Sequence, residues 1–571
     1  VSVIEKARLW AAQDPDPETK RELESLIESN DVPALTERFS GVLEFGTAGI
    51  RGRLGAGPAR MNRVTVSRTT AGLCTWLLQR VPDAASRGVC VGRDARDKSD
   101  VFERDVIEVL SGFGIPAWVF GDVVPTPVLA FTVLQCGAAG GVMITASHNP
   151  PGYNGCKVYW ENGAQIIPPN DRGIAEAIER APGVDRIRRL PMSKAREKGL
   201  IRDAEPSRES YVRCIAGLGT DPSARAPVRV AYTALHGVAE DTFRRVLARA
   251  GFEDVQSVPE QAAPDGRFPT VSFPNPEEPG AMDRVLELGS KVGADLAVAN
   301  DPDGDRVAVA VRASPGFEML SGNDIGLLLA DDLLSRYDQE AQPVVLSTIV
   351  SSPVLGRVAA AHGARWEQTL TGHKWIQNRA LELEREGLRP VFGYEEALGY
   401  APSSAVRDKD GISSGLLLID LAARLKARGE TLLDARSALS EAHGYVADRQ
   451  ISRRFDGPDA QARMNDAVNR LRDDPPSEIG GYRVERIRDF QKRTEWTPAG
   501  TAPLSELPSS NLLVFELEGG HRILLRPSGT EPKLKYYFYA VAPTTDVRTA
   551  ENEANATLEQ LIADLVSPND W

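Results

Sequence analysis

Residues 294–306 read Ala-Asp-Leu-Ala-Val-Ala-Asn-Asp-Pro-Asp-Gly-Asp-Arg. Ala294–Ala299 is a short apolar run of the kind that forms a buried strand, and the Pro- and Gly-bearing loop Asn300–Arg306 starts where it stops. Three carboxylates, Asp301, Asp303 and Asp305, alternate along that loop. Alternation within a tight turn lets all three face one centre, and an oxygen-only donor set suits a hard divalent cation such as Mg²⁺. The bland reading is an acidic surface turn. The strand before the loop favours a site, because open α/β sheets bind ligands at the carboxyl ends of their strands. The twelfth position of the loop is Arg312, so the Glu of an EF-hand is missing.

Outward from this stretch the chain alternates strands and helices. Val228–Tyr232 reads as a strand. Phe243, Val246, Leu247 and Ala250 follow with helical spacing and stop at Gly251; Met282, Val285, Leu286 and Val292 mark another helix. Earlier, Val66, Leu73 and Leu77 lie on a helix, and Gly88–Gly92, Ala117–Phe120 and Gly141–Thr145 are apolar runs. Later come strand Pro343–Thr348, helix Pro353–His362, strand Arg365–Leu370, helix His373–Glu386, strand Arg389–Tyr394 and helix Gly411–Arg428. This alternation predicts mainly parallel sheets with helices on both faces.

The two ends differ. The N-terminal arm predicts two helices, with Asp16 as an N-cap before Pro17. Near the C-terminus, Asn511–Leu517 and Arg522–Leu525 flank Gly519-Gly520, a hairpin signal, and strand Lys533–Ala540 and a helix through Leu565 follow. The polar stretch Pro458–Pro476 and the loop Thr497–Ser510 are expected to decorate that unit. The fold class expected is α/β: three similar α/β domains with mixed, mainly parallel sheets plus a C-terminal α+β domain. The limits are an N-terminal helical arm 1–40, then 41–210, 211–322, 323–448 and 449–571.

The 571 residues, 42% hydrophobic and 26% charged, suffice for several packed cores. A net charge of −13 without a basic tail argues against nucleic acid held on a broad basic surface. No apolar run is long enough for a membrane span, and the acidic, helix-forming start Val3–Asp14 does not read as a signal peptide. The five cysteines stand singly, without a CxxC pair, which fits a reducing, cytoplasmic compartment.

Three further segments bear chemistry. In Thr145-Ala-Ser-His-Asn-Pro150, Ser147 follows a buried strand in a small-residue turn and could carry a covalent group; an ordinary turn is the competing reading. His148 is its neighbour, but adjacent side chains rarely form a Ser–His pair, and no Gly-x-Ser-x-Gly is present. Lys157 is a candidate to exchange protons if burial or nearby cations lower its pKa. In Gly393–Tyr400, Glu395 and Glu396 follow a strand and could accept sugar hydroxyls, while Arg407–Gly411 supplies cations. Arg526-Pro-Ser-Gly-Thr-Glu-Pro532 offers a guanidinium, two hydroxyls and a Gly turn, a phosphate cradle without a Walker sequence.

Together and in this order, the four segments resemble the α-D-phosphohexomutase superfamily over nearly the whole chain. FGTAGIRG, KVYWENGAQI, FGYEEALGY and RDKDG are most similar to its phosphoglucomutase-2/phosphopentomutase-like subgroup. The resemblance implies four domains around a central cleft. It implies a phosphorylated Ser147, one Mg²⁺ on Ser147, Asp301, Asp303 and Asp305, and catalytic roles for Lys157, Arg51 and His148. Substrate contacts would come from Arg306, Thr371, Gly372, His373, Glu395 and Lys409, and from the phosphate loop Arg526, Ser528, Gly529 and Thr530. The implied reaction moves a phosphoryl group between C1 and C6 of glucose phosphate through a sugar bisphosphate, with glucose 1,6-bisphosphate as activator. The alternative is a phosphopentomutase acting on ribose or deoxyribose phosphates, since many hexose enzymes carry Ser where this chain has Ala397. A Mg²⁺-dependent sugar phosphatase and a non-catalytic sugar-phosphate sensor are the readings of another class. Partners expected are small sugar phosphates, not nucleic acid or membrane, with the chain a monomer or homodimer.

Overall fold

The computed structural model describes residues 2–45, 49–338, 340–457, 459–528, 532–542 and 546–566. The chain divides into two compact units. One joins Val1–Ile325 to Gly372–Thr431, and the other joins Gly326–Thr371 to Leu432–Trp571.

The first unit begins with three helices, Val3–Gln13, Pro17–Glu28 and Val32–Phe39, one more than the sequence suggested. The third has its own start signal. Asp31 accepts a hydrogen bond from the Ala34 N–H, and Pro33 falls in the first turn, where its missing N–H costs nothing. The three helices close a small core of Ala7, Ala11, Leu23, Leu35 and Ala56.

A six-stranded sheet follows, in the order Ile50–Arg53, Tyr153–Trp160, Gly140–Ile144, Val89–Arg93, Ala117–Val119, Ile201–Asp203. The last four strands run parallel, while Tyr153–Trp160 is antiparallel to both of its neighbours. Its interior residues 154–159 are all buried, so the strand lacks the polar–apolar alternation that would have announced it.

The second sheet runs Phe317–Met319, Val307–Arg312, Leu296–Asn300, Val230–Thr233, Val255–Ser257. Leu296–Asn300 is parallel to Val230–Thr233 but antiparallel to Val307–Arg312, with Asn300 opposite Val307. The acidic loop is therefore the turn of a β-hairpin rather than a strand-to-helix connection, although it still leaves the carboxyl end of a buried strand. The first unit also holds the hairpin Arg389–Glu395/Gly399–Ala401 and the helix Gly411–Ala427, which is buried along most of its length.

In the second unit, Pro343–Thr348 and Arg365–Thr369 pair in parallel. An antiparallel sheet then runs Val446–Arg454, Lys533–Val541, Arg522–Pro527, Leu513–Leu517, Tyr482–Asp489, Thr494–Thr497, Gly500–Pro503. The hairpin at Gly519-Gly520 is present, with Glu516 opposite Arg522. The polar stretch after residue 458 is instead mostly a helix, Ala460–Asp473, because Met464 and Val468 recur at helical spacing and are buried. With Leu558 and Leu561 they pack on Phe515, Leu525 and Phe538. Part of the expected loop 497–510 is the strand Gly500–Pro503. The fold class is α/β overall: mixed sheets with parallel strands, and a further domain built on an antiparallel sheet. No helix among the described residues is long and apolar enough to cross a membrane.

Candidate active site

The hairpin turn after Leu296–Asn300 is tight because Gly304 takes a positive φ of 72° and donates its N–H to the Asp301 carbonyl at 2.9 Å. Asn300 braces the turn, donating from Nδ2 to the Arg306 carbonyl (2.7 Å) and accepting from the Tyr232 hydroxyl (2.9 Å). Asp301, Asp303 and Asp305 are consequently all fully buried, and one carboxylate oxygen from each lies within 4.8 Å of the other two.

Three buried carboxylates repel one another and lose their hydration, so the fold must compensate them. Lys157 Nζ donates to Asp303 (2.7 Å) and Asp305 (2.5 Å), and Lys409 Nζ lies 3.2 Å from Asp305. Thr126 Oγ1 donates to Asp303 at 2.7 Å. Burial pushes Asp305 upward, but Lys157, Lys409 and Arg306 outweigh it and hold its carboxyl below the ordinary range. Asp301 goes the other way: burial, then the charges of Asp303 and Asp305, push it well above that range. Burial works against the Lys157 ammonium, yet Asp303 and Asp305 prevail and raise its pKa. The lowering of Lys157 looked for in the sequence is thus reversed in this setting, because the lysine faces carboxylates rather than cations.

These cations still leave some carboxylate oxygens without a donor. Asp303 Oδ1 and Asp305 Oδ1 are buried without any hydrogen-bond partner. Orphaned, convergent carboxylate oxygens are what a hard divalent cation takes as ligands, so this donor set fits Mg²⁺.

Ser147 meets the same group. Its Oγ donates to Asp301 at 3.0 Å, and its N–H is held by Thr145 Oγ1 at 2.8 Å. Ser147 has a φ of 52°, a left-handed conformation that a residue with a Cβ adopts only when its surroundings impose it. The turn also brings His148 Nδ1 to 3.2 Å from Ser147 Oγ. The two adjacent side chains do meet, against the expectation from their spacing, and the left-handed backbone at Ser147 is what turns them together. Burial, then Arg306 and Arg51, push the His148 imidazole well below its ordinary pKa, so it is neutral. Arg51, on the edge strand Ile50–Arg53, donates to Asn149 Oδ1 at 3.0 Å.

A second cluster surrounds Glu395, the last residue of Arg389–Glu395. Its Oε1 accepts the Gly372 N–H at 2.8 Å, and its Oε2 lies 3.6 Å from His373 Nδ1. Burial pushes this carboxyl up, but His373, Lys409 and the Gly372 amide bring it down to about 2. Ala397 contributes its carbonyl to Arg306 Nη1 at 3.0 Å. Sequence reasoning passed over Asp408, which is 1% exposed. Its carboxylate accepts from the Tyr159 hydroxyl (2.6 Å), Gln165 Nε2 (2.7 Å) and the Lys409 N–H (2.8 Å). It thereby ties the strand that carries Lys157 to the segment that carries Lys409. Its place beside Lys409 was the available signal.

The structure thus gathers Arg51, Ser147, His148, Lys157, the three aspartates, Arg306, Gly372, His373, Glu395 and Lys409 within the first unit. Thr371 and the phosphate-loop candidates Arg526 and Ser528 belong to the second. There Arg526 lies on Arg522–Pro527, and the Ser528 N–H donates to the Lys533 carbonyl at 2.8 Å. Gly529 and Thr530, like residues 46–48 of the Phe45–Arg53 segment, lie outside the described residues.

Comparison with known proteins gives this constellation a family. Models of the phosphoglucomutase/phosphomannomutase α/β/α domains I, II and III match residues 42–183, 209–316 and 321–439. A phosphoribomutase of Saccharomyces cerevisiae is 35% identical over 583 residues, covering 94% of this chain and 92% of its own. A phosphoglucomutase of Staphylococcus epidermidis is 33% identical over 506 residues, covering 88% and 91%. The solved structure of parafusin, a phosphoglucomutase from Paramecium, has the same fold, with a TM-score of 0.67 at 18% identity over 92% of this chain and 96% of that one. With a serine hydroxyl seated on a buried acidic triad, and three successive domain models matched in order, the chain belongs to the phosphoglucomutase/phosphomannomutase family of the α-D-phosphohexomutase superfamily, a family of mutases.

Proposed function

We propose that the chain moves a phosphoryl group between C1 and the terminal hydroxyl of an aldose phosphate, with Ser147 as the phosphoryl carrier and pentose phosphates as preferred substrates. The observation that carries the mechanism is Ser147 Oγ at 3.0 Å from Asp301, the first carboxylate of the buried triad. In the forward step a sugar hydroxyl oxygen bonds to the phosphorus of phosphorylated Ser147 as the phosphorus–Oγ bond breaks; the hydroxyl gives up its proton and the freed Ser147 Oγ gains one, leaving a sugar bisphosphate and a serine hydroxyl. The second phosphoryl group returns to Ser147 after the bisphosphate reorients. In-line transfer of this kind is catalysed mainly by positioning and charge neutralisation.

Asp301, Asp303, Asp305 and Ser147 would hold one Mg²⁺, which supplies charge stabilisation to the transferring group. Lys157, Arg51 and Arg306 add fixed positive charge; the raised pKa of Lys157 beside Asp303 and Asp305 makes it a charge partner in place of the proton exchanger first looked for. His148, neutral, accepts or donates one hydrogen bond at Ser147 Oγ. Arg526, Ser528, Gly529 and Thr530 are proposed to grip the phosphate that is not reacting, and Thr371, Gly372 and His373 to read sugar orientation. A bisphosphate such as glucose 1,6-bisphosphate would prime the unphosphorylated enzyme.

Ala397 supports the pentose reading. The turn after Glu395 offers a sugar no side-chain hydroxyl, and the Ala397 carbonyl is already taken by Arg306. Glu395 can accept a vicinal pair of hydroxyls, which ribose and glucose both offer, so the missing hydroxyl at Ala397 is what favours the smaller sugar. The yeast relative's name points the same way. The staphylococcal relative's name keeps glucose phosphate as the second reading.

The test is paired kinetics on ribose 1-phosphate and glucose 1-phosphate, with Mg²⁺ and trace glucose 1,6-bisphosphate, for the native chain and Ser147→Ala. We expect the higher kcat/KM on ribose 1-phosphate and no turnover by Ser147→Ala. A higher value on glucose 1-phosphate overturns the pentose reading. Full activity in Ser147→Ala overturns the phosphoserine reading, and steady phosphate release to water would make the enzyme a phosphatase.

A further inference from the structure

Arg96 has no part in the chemistry above, yet it is only 4% exposed. It follows the carboxyl end of Val89–Arg93, and its guanidinium is spent on one turn. Nη2 donates to the carbonyls of Ser147 (2.6 Å) and Asn149 (2.5 Å), and Nη1 to those of Pro150 (3.0 Å) and Tyr153 (3.2 Å). Asp94 lies 3.3 Å from its Nε and is itself held by the Ser99 hydroxyl at 2.7 Å. Only a planar fork of several N–H groups can gather four carbonyls at once; an ammonium is a single point.

What the fork gathers is the strained part of the site. Ser147 has a φ of 52°; its Oγ meets Asp301 while its carbonyl accepts from Arg96. The segment that covers Arg96 comes from the region that also carries the acidic loop. The Phe268 ring centroid lies 4.9 Å from the guanidinium. Gly266 passes so close that a Cβ there would stand 2.5 Å from both the Ala95 carbonyl oxygen and the Arg96 Cα. The guanidinium that holds the nucleophile's turn is thus itself packed in place by Gly266 and Phe268.

We propose that Arg96 is the positioning residue of the phosphoryl-transfer step. It holds the Ser147 turn left-handed so that Oγ stays against Asp301, and takes no part in binding the sugar phosphate. The inference rests on Ser147 as the phosphoryl carrier.

The experiment compares the full-length native chain with Arg96→Lys, Arg96→Gln, Phe268→Leu and Ser147→Ala. It measures kcat and KM for the sugar phosphate, the rate of Ser147 phosphorylation by labelled glucose 1,6-bisphosphate, and Tm. Misplacing a reacting atom by about 1 Å costs about 100-fold in rate, so both Arg96 variants should lose kcat and phosphorylation rate by about that factor at unchanged KM. Arg96→Lys keeps the charge, and its failure to rescue separates the fork from a charge effect. Phe268→Leu should show a smaller loss of the same pattern. Native kcat in either Arg96 variant, or a loss confined to KM, overturns the proposal. Should neither Arg96 variant fold, native kcat in Phe268→Leu overturns it. Activity in Ser147→Ala would instead sink the carrier assignment itself.

Discussion

Asp408→Ala removes a buried carboxylate that several groups share beside the acidic triad. Three groups donate to it at 2.6–2.8 Å: the Tyr159 hydroxyl, the Gln165 amide and the Lys409 N–H. The side chain is 1% exposed, so the abandoned donors have no bulk water to turn to. Hydrogen bonds to a charged group are worth about 1.5–3 kcal/mol each, and part of three such bonds is recovered if water enters the space; we expect a net loss of about 3–5 kcal/mol, the range for breaking a buried charged network. Asp408→Asn is the informative partner. Its amide keeps the shape and one acceptor, and the Tyr159 hydroxyl and Gln165 amide can reorient to accept from the new donor. What it loses is the charge beside Lys409, whose ammonium keeps Asp305 at 3.2 Å. We expect about 1–2 kcal/mol for Asn. Urea unfolding followed by intrinsic fluorescence, read on the transition of the unit that holds the site, gives both values. A loss under about 1 kcal/mol for Asp408→Ala, or equal losses for the two variants, would refute the view that hydrogen bonding rather than charge makes Asp408 the anchor.

Two further outcomes follow from buried polar groups. Burial raises Glu103 to about 7 despite Arg93 at 3.1 Å. Below the ordinary carboxyl pKa both states hold the proton. Between there and pH 7 the unfolded chain releases it and the folded chain does not, so stability falls as pH rises, by about 3 kcal/mol in full. Glu103→Gln should therefore match the native chain near pH 4.5 and pull ahead above pH 7, measured as Tm against pH; parallel curves would contradict the assignment. Thr126→Val deletes the 2.7 Å hydrogen bond to Asp303 at constant shape. Groups behind metal ligands typically govern affinity by about 10- to 100-fold, so the Mg²⁺ concentration for half-maximal activity should rise by at least about 10-fold. An unchanged midpoint would remove Thr126 from the site.

Elements with one apolar face announced themselves in the sequence. The helix Glu240–Arg249 shows its stripe of Phe243, Val246 and Leu247, and the hairpin at Gly519-Gly520 its turn. Tyr153–Trp160 did not, since a strand buried along its interior has no alternation to read, and it carries Lys157. The helix Ala460–Asp473 was hidden by its polarity, with Ala460, Met464 and Val468 as its buried residues. In the site, residues that bear the chemistry were legible because Asp-x-Asp-x-Asp and Thr-Ala-Ser-His-Asn-Pro are compact in sequence. The residues that hold them, Arg96, Thr126, Tyr159 and Asp408, make contacts 51 to 249 positions away along the chain. Local spacing carries no trace of such pairs. Only the place of Asp408 beside Lys409 offered a signal.

The division of the chain has a consequence for its synthesis. The unit that holds Ser147 and the aspartates is interrupted by Gly326–Thr371 and is completed only by Gly372–Thr431. A ribosome delivering the chain from its N-terminus thus releases all three aspartates before Lys409, Asp408 and Glu395 exist. The partner segments of Gly326–Thr371 come later still, from Leu432 onward. Neither unit can finish before the other has begun, so an arrest between about residues 325 and 410 leaves the acidic cluster with Lys157 and Arg306 but without Lys409. Chains halted there expose unfinished cores, the kind of surface that chaperones bind.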